Sequence, residues 1–359
     1  MKNKSSFLLS FSILPIGLFF LVVSKWYVPY ENTDSQSSAI LTGEKQKGAH
    51  VFGIFDTTNF EPLIQNNLEW ITMVSWGFQE NCNTPAVTHH NGDSVHIVKH
   101  DSIWVERLKM VRAAGFKVFL KPHLWIDAPA AGKWRSDIFP TNEENWKLWK
   151  ESYTDFILRY AKVAEKAEVE MFCIGTEFSR LSTQKSKFWE KLIQDVRVVY
   201  SGKITYAANW YNEFEKITLW KELDFIGIQA YFPLVKNNNP SVGQLSKGWN
   251  RYIPSMQAVH EKYKRQILFT EMGYKSTASS AIKPWEWVEN SSDLDKLFSA
   301  KTQANCYKAF FETIWKREWF AGVHIWQMRG YPVKDSDYNN LDFTVQGKPA
   351  ENIIAKGFE

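Results

Sequence analysis

The fold of this chain is indicated most clearly by a nine-residue stretch, Glu170-Met171-Phe172-Cys173-Ile174-Gly175-Thr176-Glu177-Phe178. Its unbroken apolar part is typical of a strand buried on both faces in a parallel sheet covered by helices. A second stretch repeats the pattern, Gln266-Ile267-Leu268-Phe269-Thr270-Glu271-Met272-Gly273. We therefore predict two buried strands that each end on a glutamate.

Comparable apolar segments recur along the chain, and helical segments separate them. The eight predicted strands are 51–56, 70–76, 116–122, 171–174, 203–210, 224–231, 266–273 and 321–327. This alternation predicts an α/β fold, a single (β/α)8 TIM barrel over residues 49–359, with its active site where strands pass into loops. Two domains are compatible with 359 residues, and an open doubly wound sheet is the alternative architecture. The open sheet is disfavoured because no glycine-rich phosphate loop follows any strand.

The N-terminus has the pattern of a targeting segment. Lys2 and Lys4 precede an apolar run from Phe7 to Val23, which predicts a signal peptide or membrane anchor over residues 1–30. As a helix the run would span about 25 Å, near the lower limit for crossing a bilayer. Cleavage and retention as an anchor both stay open. We assign residues 31–48 to a polar linker and expect a protein exported to the periplasm, the cell surface or the medium, with possible membrane attachment.

Composition excludes several classes of protein. The 43 basic and 39 acidic side chains are scattered along the chain, so no electrostatic footprint for nucleic acid is present. Three cysteines cannot form a disulfide framework, although a bridge between Cys82 and Cys306 stays open. The metal-ligand spacings of barrel hydrolases, Asp-rich calcium loops and the Gly-x-Ser-x-Gly elbow are all missing from the sequence. We expect no metal, no cofactor and a monomer.

The two strand-end glutamates carry the prediction of function. A lone strand-end glutamate is often a structural ion-pair partner, and Glu177 could pair with Arg180 in that role. The fourth and seventh strands of a barrel, however, lie roughly opposite each other across its mouth. Two facing carboxylates are what glycosidic bond cleavage requires, one to protonate the leaving oxygen and one to attack or to activate water.

The segments Phe-Cys-Ile-Gly-Thr-Glu-Phe and Leu-Phe-Thr-Glu-Met-Gly-Tyr resemble those of clan A glycoside hydrolases, and most of all family 113, a family of β-mannanases. The resemblance extends over roughly residues 49–358. It implies that Glu177 is the acid/base, protonated near neutral pH, and that Glu271 is the nucleophile of a retaining mechanism. It also implies that Tyr231 hydrogen-bonds the nucleophile and that Trp326 forms the floor of the subsite for the cleaved sugar.

Further strand-end residues are candidates for substrate binding. Thr176 stands where much of the clan has asparagine. Its shorter hydroxyl reaches a sugar 2-OH less easily, and Asn209 on the neighbouring strand is an alternative partner. Aromatic rings suit stacking on sugars, and the other candidates, each also compatible with simple packing, are His123, Trp125, Trp76 and Trp210.

The resulting hypothesis is a retaining endo-β-1,4-mannanase acting on mannan or glucomannan. A β-mannosidase, another β-1,4-glycanase cutting glucan or xylan, and a non-catalytic surface glycan-binding protein are the alternatives.

Overall fold

A computed structural model describes residues 44–88, 94–130, 132–287, 297–333 and 341–359. The targeting segment predicted over residues 1–30 and most of the predicted linker lie outside these ranges. The first strand begins at Gln46, so the last residues assigned to the linker belong to the barrel. Within the described ranges, every helix is too short or too polar to cross a membrane.

Eight parallel strands close into a barrel in sequence order, which confirms the predicted (β/α)8 architecture. The strands are β1 (Gln46–Phe52), β2 (Trp70–Gln79), β3 (Lys117–Ile126), β4 (Met171–Thr176), β5 (Lys203–Asn209), β6 (Ile226–Gln229), β7 (Ile267–Met272) and β8 (Phe320–Arg329). All eight consist mainly of buried residues, as expected when helices cover a parallel sheet.

Helices cover the outside of the barrel. They are α1 (Glu61–Gln65), α2 (Ser94–Ala113), α3 (Glu143–Lys166), α4 (Ser179–Gln184), α5 (Ser186–Val199), α6 (Val242–Asn250), α7 (Ile253–Tyr263), α8 (Ala300–Thr313) and α9 (Pro349–Phe358). The sequence predicts a helix over 244–264 in which Pro254 starts a fresh turn or introduces a kink. The structure has two helices here, and Pro254 lies in the first turn of α7, where its missing N–H costs no hydrogen bond.

The inside of the barrel has an apolar floor and a polar upper part. A separate core cluster fills the floor and includes Phe119, Met171, Cys173 and Leu268. Side chains along a strand alternate between its two faces, so β3 turns Lys121, His123 and Trp125 to the same side as Phe119. The charged and aromatic side chains therefore lie above the apolar floor, towards the C-terminal face.

Irregular strand pairing occurs next to both glutamates, just before Glu177 and around Glu271. In β4 the register against β5 shifts between Cys173 and Thr176, and in β7 the register against β8 shifts between Phe269 and Met272. A bulge inserts a residue and re-aims the side chains that follow it. Both carboxylates are thus placed by a local break in the barrel.

All three cysteines are free, buried thiols. The bridge left open between Cys82 and Cys306 is therefore absent. The barrel depends on its core for stability.

Candidate active site

The carboxylate of Glu271 lies at the end of β7, only 4% exposed. The ammonium group of Lys121 contacts its Oε1, and the hydroxyl of Tyr231 donates to Oε2 over 2.8 Å. Lys121 also donates to Gln229 Oε1 over 2.8 Å, and Thr270 donates to the same oxygen over 3.0 Å. A buried carboxylate is costly unless it is paired, and Lys121 supplies the opposite charge.

Two histidines face the same carboxylate. The Nε2 atoms of His50 and His123 lie 3.7 and 3.5 Å from Glu271 Oε1. Burial first, and then the charge of Lys121, hold both histidine pKa values well below the ordinary one. Neither Nε2 has a hydrogen-bond partner among the described residues. The site therefore presents two neutral imidazoles beside Glu271, with polar atoms free for a ligand.

Glu177 follows β4 in a left-handed backbone conformation with φ of 58°, which is uncommon for a residue other than glycine. The conformation is held by its own N–H, which donates to the carbonyl of Ala207 over 2.9 Å. The next N–H, that of Phe178, donates to the hydroxyl of Tyr206 over 2.7 Å. Gly175 lets the strand pass close to Trp189, whose ring would lie 2.8 Å from an added Cβ.

A buried carboxylate, Glu213, supports this turn from below. It accepts hydrogen bonds from Tyr206 and Ser182 hydroxyls, both 2.6 Å, from Ser179 at 3.0 Å and from the Asn209 N–H at 2.8 Å. Burial raises the pKa of Glu213, and these hydrogen bonds oppose the rise. Because Tyr206 also holds the Phe178 N–H, the network fixes the backbone next to Glu177.

The side chain of Glu177 is paired with Arg135. Arg135 donates from Nε and from Nη2 to Glu177 Oε2, over 3.1 and 2.9 Å. The partner suggested by sequence, Arg180, instead lies over the ring of Phe139, 4.4 Å from its centroid. The suggested pairing with Arg180 is wrong because the loop after β3 brings a different arginine to the carboxylate.

The two carboxylates, or the cations paired with them, affect the pKa values of the same neighbouring residues. Burial chiefly raises the pKa of Tyr231 well above its ordinary value, and the charges of Glu271 and Glu177 both contribute. The pKa of His123 is lowered by burial, then by Lys121 and Arg135, the cations paired with the two glutamates. Glu177 and Glu271 therefore belong to one site at the barrel mouth.

The remaining predicted residues divide into aromatic surfaces and structural supports. Trp326 packs on His50, with ring centroids 4.9 Å apart. On the β3 side, Trp125 is 43% exposed and lies edge-on to Trp76 at 5.8 Å and Trp134 at 5.9 Å.

A second aromatic surface and two supports complete the site. On the connections after β5 and β7, Trp210 and Trp285 stack at 5.4 Å. Asn209 donates its amide to Ser136 and Ser179, both 3.1 Å, so this amide group bridges loops. Thr176 is buried, with its hydroxyl 4.0 Å from the Cys173 sulfur.

Comparison with known proteins gives the family. The family model described as Glycoside Hydrolase Family 113 matches residues 56–348. The chain belongs to glycoside hydrolase family 113. No curated protein matches this family 113 glycoside hydrolase significantly.

Solved structures agree with the assignment. A family 113 β-1,4-mannanase, solved as a complex, is 26% identical, with 88% of this chain and 99% of that chain covered and a TM-score of 0.72. The family 113 β-mannanase AaManA of Alicyclobacillus acidocaldarius, in complex with ManMIm, is 25% identical, with 88% and 97% covered and a TM-score of 0.71. A β-glucuronidase of Ruminococcus gnavus, 12% identical with 84% and 45% covered and a TM-score of 0.53, shares the fold.

Three site residues of this family 113 glycoside hydrolase are not identified from sequence: Lys121, Arg135 and His50. Lys121 has a visible signal, because it and Lys117 are the two charged residues of the otherwise apolar run Phe116 to Pro122. Arg135 lies in an irregular aromatic loop, and His50 lies one residue before the predicted first strand, so neither stands out by periodicity. In the described residues, no three His, Cys, Asp or Glu side chains are grouped so that they could hold a metal ion.

Proposed function

We propose that this glycoside hydrolase is a retaining endo-β-1,4-mannanase acting on mannan or glucomannan. The observation that carries the proposal is that two strand-end carboxylates lie in one site but in different surroundings. Glu271 is buried between Lys121 and Tyr231. Glu177 instead lies on a hydrogen-bonded turn, and its carboxylate is paired with Arg135. Environments that differ in this way let one carboxylate attack while the other transfers protons.

In the first step, Glu271 attacks the anomeric carbon while Glu177 gives its proton to the leaving glycosidic oxygen. The carbon–oxygen bond to the leaving sugar breaks, and a covalent glycosyl ester forms on Glu271. Lys121 and Tyr231 hold the nucleophile's two oxygens, so that its lone pairs are oriented before the substrate arrives. The leaving sugar departs with the proton from Glu177 as a new hydroxyl.

In the second step, Glu177 takes a proton from water, and the oxygen of that water attacks the anomeric carbon. The ester bond to Glu271 breaks, which restores its carboxylate and releases the sugar. Two displacements at one carbon return the β configuration. The neutral His50 and His123 can hydrogen-bond sugar hydroxyls throughout without adding charge beside the nucleophile.

The preference for mannose is supported by the family and by its mannanase relatives. Action within a long chain is supported by exposed tryptophans on two sides of the mouth, Trp125 and Trp285, since indole rings stack on sugar faces. We also propose export, which is supported by Lys2, Lys4 and the apolar run after them.

A screen of polysaccharides tests this proposal. Konjac glucomannan and linear mannan should release reducing ends at least about tenfold faster than xylan or carboxymethyl cellulose, a ratio within the range that pocket contacts provide. Chromatography of the early products should show a series of oligosaccharides. The Glu271→Ala protein, prepared in parallel, controls for contaminating glycosidases.

Each alternative gives a distinct result in the same screen. Equal or faster hydrolysis of xylan or carboxymethyl cellulose would refute the mannan preference. Release of mannose alone would identify a β-mannosidase. Binding to mannan without any product would identify a glycan-binding protein.

A further inference from the structure

We propose that Arg135 is a positioning residue that determines which oxygen of Glu177 carries the catalytic proton. The inference rests on the proposed function, because it assumes that Glu177 is the acid/base. It is carried by the geometry of the guanidinium group around that carboxylate.

Two N–H groups of Arg135 point at the same carboxylate oxygen. Nε and Nη2 lie 3.1 and 2.9 Å from Glu177 Oε2. A proton on Oε2 would have to point between two donors that need the lone pairs of that oxygen. No hydrogen bond to Oε1 is formed within the described part of the chain. The proton that Glu177 donates is therefore carried on Oε1.

Arg135 is itself fixed in place. Its Nη1 donates to the carbonyl of Leu124 over 3.1 Å, and its guanidinium lies over the Trp134 ring, 4.8 Å from the centroid. The residue is 7% exposed, at the start of a short 3₁₀ helix, Arg135–Asp137. A planar guanidinium held on three sides keeps its donors in one direction, so the orientation of Glu177 is set before substrate binds.

The charge of Arg135 also matters in the second step, in which Glu177 must be ionised to accept a proton. The other titratable groups facing the site are His50 on β1, His123 on β3, Tyr231 just after β6, and the Lys121–Glu271 pair. Burial chiefly lowers the pKa of His123 and raises that of Tyr231, so both are neutral at ordinary pH. Arg135 is the cation in direct contact with Glu177, and its removal should shift the pH dependence of proton transfer.

Leaving-group dependence separates this role from simple structural support. We expect Arg135→Met to lower kcat/KM about 10²-fold on mannan, where the leaving sugar needs a proton, because misplaced general acids lose most of their effect. With a dinitrophenyl β-mannobioside, which needs no proton, kcat/KM should stay within about threefold of the wild type. Arg135→Lys keeps the charge without the two-donor geometry. Its kcat/KM on mannan should lie between the values of the wild type and of Arg135→Met.

The pH profile is the second readout. The alkaline limb of kcat/KM on mannan should move to higher pH in Arg135→Met, because loss of a neighbouring positive charge makes Glu177 hold its proton more strongly. Arg180→Met is the matched control, since Arg180 is a nearby arginine that does not contact Glu177. Arg180→Met should leave unchanged the ratio of kcat/KM on mannan to kcat/KM on the dinitrophenyl substrate, and also the alkaline limb of the pH profile.

The proposal is overturned if Arg135→Met loses activity equally on both substrates and its alkaline limb does not move. It is also overturned if Arg180→Met shows the selective loss on mannan and the shifted limb that we expect of Arg135→Met. Thermal melting identifies misfolded protein, and if Arg135→Met does not fold, the same comparison is made with Arg135→Lys. A wild type inactive on every β-mannoside refutes the proposed function instead. In that case the Glu177 carboxyl is titrated by carbon-13 NMR, with its signal assigned by comparison with Glu177→Gln. The midpoint of this titration must rise in Arg135→Met. An unchanged midpoint overturns the proposal.

Discussion

Replacement of Glu271 by alanine is expected to lower mannan hydrolysis by about 10⁴-fold or more, the scale seen when a nucleophile is removed from a catalytic unit. The same loss should occur with a dinitrophenyl glycoside. A good leaving group removes the need for an acid, but it does not remove the need for attack at the anomeric carbon. Initial rates on both substrates measure the effect.

The alanine variant leaves Lys121 buried without its carboxylate, and an unpaired buried charge destabilises a protein. Glu271→Gln is therefore the companion variant, because its amide fills the same space between Lys121 and Tyr231 but cannot attack. Glu222→Ala, which alters a half-exposed glutamate of the 3₁₀ helix Leu219–Glu222, is the control with unchanged activity. Turnover by a folded Glu271→Gln protein within tenfold of the wild type would remove Glu271 from the mechanism.

Replacement of Glu177 by alanine is expected to have an effect that depends on the substrate. Mannan hydrolysis should fall by about 10³-fold, because general acid–base catalysis is lost in both steps. A dinitrophenyl glycoside should still form the covalent intermediate quickly, and this intermediate should accumulate because no base activates water. Added azide should then accelerate turnover, since azide attacks without general-base help.

The configuration of the azide product distinguishes the two glutamates. Glu177→Ala should give the β-glycosyl azide, formed by displacement of the ester on Glu271. Burst kinetics and NMR of the isolated azide measure this outcome. If Glu177→Ala were inert towards azide while Glu271→Ala responded, the two roles would be reversed.

Local patterns were sufficient to predict the barrel. The apolar runs that became β4 and β7 were recognisable because a strand covered on both faces has few polar residues. The same runs placed Glu177 and Glu271 at the C-terminal rim. The break at Pro254 was also predictable, since it follows from the chemistry of one residue.

The contacts of the two glutamates were not predictable in the same way. Lys121 and Glu271 are 150 residues apart in sequence, and their contact depends on how β3 and β7 face each other across the closed barrel. The register shifts next to both glutamates depend on pairing with β5 and β8. Arg135 rather than Arg180 reaches Glu177 because of the path of an irregular loop. Each of these features is set by tertiary structure, which a single sequence does not report.

A double displacement by Glu271 and Glu177 fixes the configuration of the first product. Proton NMR of a manno-oligosaccharide digest, recorded within minutes of adding the wild-type enzyme, measures that configuration. The new reducing end should appear first as the β anomer and then equilibrate with the α anomer by mutarotation. Initial appearance of the α anomer would show a single displacement and contradict the retaining mechanism.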